Sequence, residues 1–347
     1  MMSAALAIID PTEYPGWDDL IDSIPAASFF LTSNWARVLK ESYSYRPLYF
    51  VGFEGSKASA VVPMMEVKSR LTSSRGVSIP FTDYCDPFVS DAKAFSEVLE
   101  ELADYGRKAG WKYIEFRGRQ NYLDGMPPYS RFAVHSLMLD SNETALFDKL
   151  LPNVRRNIHK AERMGVRVDI YNSIESIESY YRLHCLTRKR HGAPPQPKWF
   201  FDALYRHAIA KGKGFTALAR YRGRVVAGAI YVHSYRNGIF KYGASDYEYQ
   251  LLRANNLLMW EAIKWFSANG FSELSLGRTD PDNTGLIRFK EGWGAVRQQV
   301  CYYRYDLRHH RFTSECPDTT ARAMRVFRRF PVSLLRIIGT LLYRHIG

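Results

Sequence analysis

The chain has 347 residues, 46% hydrophobic, 24% charged and 14% aromatic, the make-up of a globular protein long enough for two domains. Its 48 lysines and arginines against 35 acids leave a net charge of +13, which points to anionic partners: nucleic acid, a phosphorylated substrate or a membrane surface. No window reaches the roughly 18 apolar residues of a membrane span, and Cys85, Cys185, Cys301 and Cys316 lack the spacing of a CxxC pair or a metal site.

The start MMSAALAIIDP has no basic run ahead of its apolar one, and Asp10-Pro11 ends it. This favours a reducing cytosol over secretion. Amphipathic spacing predicts helices over 17–24 and 34–42. Alternation predicts a strand pair over 48–53 and 58–67, turning at Glu54-Gly55-Ser56-Lys57. The stretch SIPFTDYCDPF (78–88) reads as a proline-bounded loop in which Asp83, Tyr84 and Asp86 cluster. A helix over 93–108, a strand over 111–117 and another over 131–139 complete a first mixed α/β domain over 1–142.

The second domain, over 143–306, is expected to open on a helical run from Glu143 to Met164, with Pro152 starting its second half. Arg155, Arg156, His159, Lys160 and Arg163 fall on one face of that run. The face is either simply solvated or a contact strip for phosphate or RNA. A strand over 166–171, helices over 174–190 and 199–210, and a meander over 215–221, 225–233 and 238–242 follow. His191, before the rigid Pro194-Pro195-Gln196-Pro197 linker, reads as a capping or loop residue and not a catalyst. The segment from Phe240 to Gly294 then gives a polar turn (244–250), a helix over 253–269 closed by Gly270, a strand over 271–276, and a loop from Gly277 that ends at Arg288-Phe289-Lys290. Strand, turn, helix, strand is the order in which α/β folds build ligand sites. A last strand is expected over 295–306. No sequence repeat is evident, but the two halves share an order of elements.

Several of these stretches resemble the FemAB family: LLPNVRRNIHKAERMGVRV, KYGASD, NNLLMWEAIKW, LSLGRTD, GLIRFKEGWGA and, in the first half, PFTDYCDP. The related FemAB-like proteins of exopolysaccharide and exosortase gene clusters are similar too. The resemblance covers about residues 28–306. It implies an α/β fold of two tandem GNAT-like acyltransferase domains around a shared cleft, and transfer of an acyl or aminoacyl group to an amine. The implied donor is a co-substrate, aminoacyl-tRNA or acyl-CoA, with no tightly bound cofactor. The implied acceptor is a peptidoglycan or exopolysaccharide precursor at the cytoplasmic face. One departure concerns the turn into the helix after the fourth strand, where GNAT domains carry Q/R-x-x-G-x-G/A to cradle the pyrophosphate of acetyl-CoA. Here it reads Gln250-Leu251-Leu252-Arg253-Ala254-Asn255-Asn256. Side chains in place of glycine crowd the approach of a diphosphate, which disfavours ordinary acetyl-CoA use.

There is no GxSxG, no cysteine–histidine signature spacing and no HExxH, so neither covalent nor metal catalysis finds support. Attack of an amine on an ester or thioester instead asks for a cation at the developing oxyanion. Lys290 in Arg288-Phe289-Lys290 matches the family's phenylalanine–lysine motif and is the candidate, with Phe289 packing on the donor. Replacing Lys290 by Met is expected to cut turnover and spare the fold. Asp280 would orient or deprotonate the amine. Arg278, Lys241 and Tyr242 would bind phosphate or substrate, although strand alternation lets only one of the last two face inward. Asp83 and Tyr84 would hold the acceptor, Arg253, Asn255 and Asn256 the donor, and Arg155, Arg156 and Lys160 a tRNA. Two other classes remain: an acyl-CoA-dependent N-acetyltransferase on a sugar or small molecule, and a non-catalytic scaffold, which a filled cleft would mark.

The third segment, 307–347, is a basic tail. From Thr319 to Gly347 it holds six arginines and no carboxylate side chain, and VSLLRIIGTLLYRHI (332–346) is amphipathic. Such a helix suits an anionic membrane interface or a dock on the protein's own surface.

Overall fold

The computed structural model describes residues 6–24, 27–119, 123, 125–314 and 326–347. The chain forms two compact units: Met1–Phe132 with Gln299–Pro317 and Leu342–Gly347, and Ala133–Gln298 with Asp318–Leu341. The boundary expected at 142 thus lies ten residues earlier, and the strand expected to close the second domain gives most of its length to the first. Part of the expected tail over 307–347, residues 315–325, lies outside the described residues.

The first unit runs β1 (Ala7–Ile9), α1 (Trp17–Asp22), α2 (Ser33–Tyr43), β2 (Arg46–Pro47), β3 (Tyr49–Glu54), β4 (Lys57–Val62), β5 (Met65–Val67), β6 (Arg75–Val77), α3 (Ala92–Lys108) and β7 (Tyr113–Gly118). The single strand expected over 58–67 is two, β4 and β5, and β1 and β6 are short strands that periodicity did not reveal. β1, β3 and β4 make one small antiparallel sheet, and β2, β5, β6 and β7 follow one another in a second. β6 and β7 are parallel for only two residue pairs, Gly76 with Ile114 and Val77 with Glu115. The 78–88 loop then takes β6's place: the amides of Ser78 and Cys85 donate to the carbonyls of Glu115 and Arg117. To turn there, Ile79 and Phe81 adopt left-handed φ of 48° and 60°, a cost for non-glycine residues. This unit therefore fills the gap beside its parallel strand with its own backbone.

The second unit continues from β8 (Ser130–Met138) through α4 (Glu143–Asp148), α5 (Pro152–Arg163), β9 (Arg167–Tyr171), α6 (Ile174–His191), α7 (Lys198–His207), β10 (Gly214–Tyr221), β11 (Arg224–Ser234), β12 (Asn237–Ser245), α8 (Ala254–Ala268), β13 (Glu273–Thr279) and α9 (Thr284–Glu291). β14 (Val296–Asp306) and β15 (Arg311–Thr313) follow, and from Cys301 on β14 pairs with β7 in the first unit. The helix expected from Glu143 to Met164 breaks into α4 and α5, with Pro152 at the first turn of α5. The strands run in the order β8, β13, β12, β11, β10, β9.

α8 is apolar nearly all round. Leu257, Leu258, Met259, Trp260, Ala262, Ile263 and Phe266 are all buried, as a central helix requires. Val154, Ile158 and Ala161 of α5 join the same core, and α5 lies against α8. Each large side chain so buried contributes about 2 to 3 kcal/mol.

β12 and β13 are the parallel pair of this unit. They are joined only from Asn237–Glu273 to Ile239–Ser275, and beyond that point no pairing links them. At the joined end a Cβ on Gly238 would sit 2.6 Å from the ring of buried Phe266. Gly238→Ala should therefore cost about 1 to 3 kcal/mol by overpacking. A lowered urea midpoint at unchanged slope is the expected reading, and an unchanged midpoint would show that the contact yields.

Candidate active site

Two β-bulges shape the ground where β12 and β13 part. Ile230 pairs with Tyr242 but Tyr231 pairs with Phe240, so Lys241 is the extra residue. In a regular strand Phe240 and Tyr242 would share a face. The bulge separates them. Phe240 packs on Tyr231, ring centres 5.4 Å apart, whereas Tyr242 packs on Phe200 and Phe201 at 5.9 and 5.5 Å. The second bulge is on β13, where Ser275 pairs with Ser136 and Arg278 with Val134 across a left-handed Gly277, φ 74°.

On the α8 side lies a cavity of two chambers, of about 390 and 290 Å³. β11 and β12 line it with Gly228, Ala229, Gly243 and Ala244. Phe240, Leu258, Met259, Leu286 and Phe289 give it apolar walls. The smaller chamber is of mixed character, with Ser245, Asp246, Gln250, Arg253, Asn255 and Asn256 beside Val226, Leu286 and Phe289 in its wall. Counted from Gln250, the glycine positions of Q/R-x-x-G-x-G/A fall on Arg253 and Asn255. Arg253 is left-handed, φ 59°, the conformation a glycine would take without strain. The backbone of the cradle is kept and side chains are added to it. Arg253 is also the N-cap of α8 and makes no side-chain capping bond, so the positive end of the helix opens on the chamber without a side-chain cap.

Of the sequence candidates, Phe289, Arg253, Asn255 and Asn256 come together on one cavity. The other candidates in this unit do not line it. Lys290 is buried, and its ammonium donates to the carbonyls of Gly277 and Arg278 at 2.7 and 3.2 Å. The expected loop before it is instead α9, capped by Asn283, whose side chain accepts from the Leu286 amide at 3.1 Å. That helix points Lys290 into the β13 bulge, so the cation expected at the oxyanion is bound to backbone. Opposite on β8, His135 is buried with no hydrogen-bond partner on either ring nitrogen; burial, and then the Lys290 charge, hold it neutral. Arg278 and Asp280 are exposed, and the Asp280 carboxylate accepts from the Asp282 amide as a turn former. The Lys241 ammonium lies 5.1 Å from the Tyr242 ring, on the α6–α7 side of the sheet. In the first unit, the Asp83 carbonyl accepts from the Tyr302 hydroxyl at 2.8 Å, and Arg119 stacks 4.0 Å over the ring of Tyr84. Arg155, Arg156 and Lys160 share the solvent face of α5, where Arg155 lies 3.8 Å from Asp148.

Sequence reasoning passed over the α6 side of the cavity. Thr187 closes the end of β12, its hydroxyl accepting from the Ser245 amide at 3.1 Å and donating to the Ser245 carbonyl at 3.2 Å. Arg190 and His191 complete that wall. Burial first, then Arg190, Arg188 and Arg328, lower the His191 pKa below its ordinary 6.5. At neutral pH this exposed ring is neutral, and its Nε2 accepts from the Arg190 guanidinium at 3.4 Å. The clue was only its place in the last turn of α6, before Gly192.

Residues 149–291, which build this cavity, match the acetyltransferase (GNAT) domain family. No curated protein matches the sequence. Among solved structures, FemX is similar at 14% identity and a TM-score of 0.68, over 84% of this chain and 95% of that one. A tandem GNAT protein from the clavulanic acid biosynthesis pathway is similar at 9% identity and a TM-score of 0.58, covering 87% and 98%. So is L-PGS from Bacillus licheniformis, at 14% identity and a TM-score of 0.55, covering 94% and 97%. The fold is therefore mixed α/β of the tandem GNAT type.

Lys290→Met removes the partner of two carbonyls at a bulge. Against the sequence-based expectation of an intact fold, it should cost about 1 to 3 kcal/mol of stability. Thermal unfolding beside turnover tests this, and an unchanged melting temperature would return Lys290 to a purely chemical role.

Proposed function

From a GNAT-type acyltransferase domain that carries an open cavity at the start of α8, we propose that the chain transfers an acyl or aminoacyl group to an amine of a cell-envelope precursor, of peptidoglycan or exopolysaccharide, at the cytoplasmic face. One observation carries this reading. The GNAT cradle keeps its left-handed turn and its bare helix end but holds Arg253 and Asn255 in place of glycine. A cation and an uncapped helix end attract a phosphate, while the added side chains stand off the close-fitting diphosphate of acetyl-CoA. The resemblance of the sequence to the FemAB family supports the aminoacyl branch, with aminoacyl-tRNA as donor. Arg155, Arg156 and Lys160 on α5 would then meet its backbone, with affinity falling as salt rises.

In the reaction the acceptor amine attacks the donor carbonyl, a C–N bond forms, and the C–O bond of an ester or the C–S bond of a thioester breaks. Neutral His191 takes the proton that the amine loses, and the leaving oxygen or sulfur takes one up. Phe289 and Phe240 wall the acyl group from water. Lys290 acts as a positioning residue, holding the β13 bulge. The acyl-CoA reading, with a sugar or small molecule as acceptor, keeps the support of the acetyltransferase family match. The open cavity disfavours a scaffold.

Thermal-shift comparison of acetyl-CoA, long-chain acyl-CoA and aminoacyl-tRNA tests the donor. A ligand at a hundredfold its Kd stabilises by about 2.7 kcal/mol, a shift of several degrees. Stabilisation is expected with aminoacyl-tRNA, and with either CoA thioester only after Arg253→Gly. Stabilisation of the unaltered chain by acetyl-CoA alone would overturn the argument from the cradle.

The proposed base gives a pH test. His191 must be neutral, and its pKa is lowered, so kcat/KM should fall only as pH drops through a point below 6.5. His191→Asn should lower kcat by about 100-fold or more and abolish that acid limb. Arg190→Gln should move the limb up toward 6.5. A His191→Asn enzyme with the parent's pH profile would remove His191 from the chemistry.

A further inference from the structure

The last helix, α10 (Val332–Ile346), is two-faced. One face is packed within the second unit. Leu335 is fully buried, a Cβ on Gly339 would lie 2.0 Å from the Pro195 carbonyl oxygen, and the Arg336 guanidinium lies 5.5 Å over the ring of Tyr181. The other face is apolar and open: Leu334, Ile337 and Leu341, at i, i+3 and i+7, are 38%, 58% and 62% exposed. Solvent-facing positions of a docked helix are ordinarily polar, so three large aliphatic side chains in one row make a ridge that asks for a cover. Just ahead of the helix Val326 is 51% exposed, and Arg328 and Arg329 are exposed beside it. No carboxylate side chain occurs from Thr319 to Gly347, whereas six arginines do.

We infer that this ridge lies in the interface of an anionic lipid membrane, with Leu334, Ile337 and Leu341 among the acyl chains and Arg328 and Arg329 at the headgroup phosphates. Charge complementarity selects the occupant. An aliphatic row flanked by arginines alone matches a surface that is apolar below and negative above. A second copy of the chain would instead set arginine against arginine. No helix among the described residues is long and apolar enough to cross a membrane, so the contact is peripheral. The sequence left docking on the protein and docking on lipid as alternatives; the two faces of α10 allow both at once. The inference does not depend on the chemistry of the cavity.

Sedimentation of the full chain with phosphatidylcholine vesicles, and with vesicles that also contain phosphatidylglycerol, tests it. The chain should pellet with the anionic vesicles only, and less so as salt rises. Ile337→Asp/Leu341→Asp, at exposed positions, should weaken this about tenfold or more while the melting temperature holds. Arg328→Ala/Arg329→Ala, which leaves the ridge in place, should do the same. Equal pelleting with both vesicle types, none with either, or parental binding by the aspartate variant would overturn it. So would a dimer that the aspartate variant converts to monomer in analytical ultracentrifugation, which would assign the face to a second copy. The aspartate variant should turn over a water-soluble acceptor at the parental rate, so failure on vesicles leaves the acyl-transfer reading untouched.

Discussion

Two parallel strands that stop exchanging hydrogen bonds after three residue pairs set the plan of the second unit. A parallel ladder left open exposes backbone that must be bonded elsewhere. Here bulges at Lys241 and Gly277 turn each strand away from its former neighbour, and the Lys290 ammonium binds the carbonyls that the second bulge orphans. α8 then packs the apolar side, and the small residues of β11 and β12 line the cavity. The cavity follows from the parting of the strands. The bulges and the buried lysine are what make the parting tolerable.

The first unit meets the same problem with another solution. β6 and β7 also part after a short parallel contact, but the 78–88 loop supplies the missing backbone donors. Ile79 and Phe81 bear the strain of that path. One unit thus holds an open site and the other a self-filled one, from a shared order of strands. The division of labour lies in what fills the gap.

Most of the architecture was legible in the chain. Periodicity placed the meander, the central helix and the strands beside it, because long amphipathic or fully apolar runs leave few alternatives. It missed β1 and β6, which are three residues each, and α9, whose cap Asn283 looked like loop chemistry. Arg253, Asn255, Asn256 and Phe289 were readable because they stand at fixed offsets in a recognisable turn and motif. Lys290 was found for the right motif and given the wrong surroundings. A side chain's direction depends on the helix that carries it, and that helix was not expected. His191 was set aside since a single histidine in a final helical turn has no pattern around it. Its meaning comes from three arginines distant or adjacent in sequence and from a wall of the cavity, neither of which spacing can display.

Arg253 occupies a glycine's conformation without being glycine, and this bears on how such a site changes hands over time. Every arginine codon lies a single base from a glycine codon. Because the backbone at 253 already turns as a glycine would, that one mutation asks nothing of the surrounding fold and relieves a local strain. A lineage can therefore remove the cation from this mouth in a single genetic step, with Asn255 still in place, and restore it as readily. The charge at this mouth, in chains built this way, should wander faster than the fold that supports it.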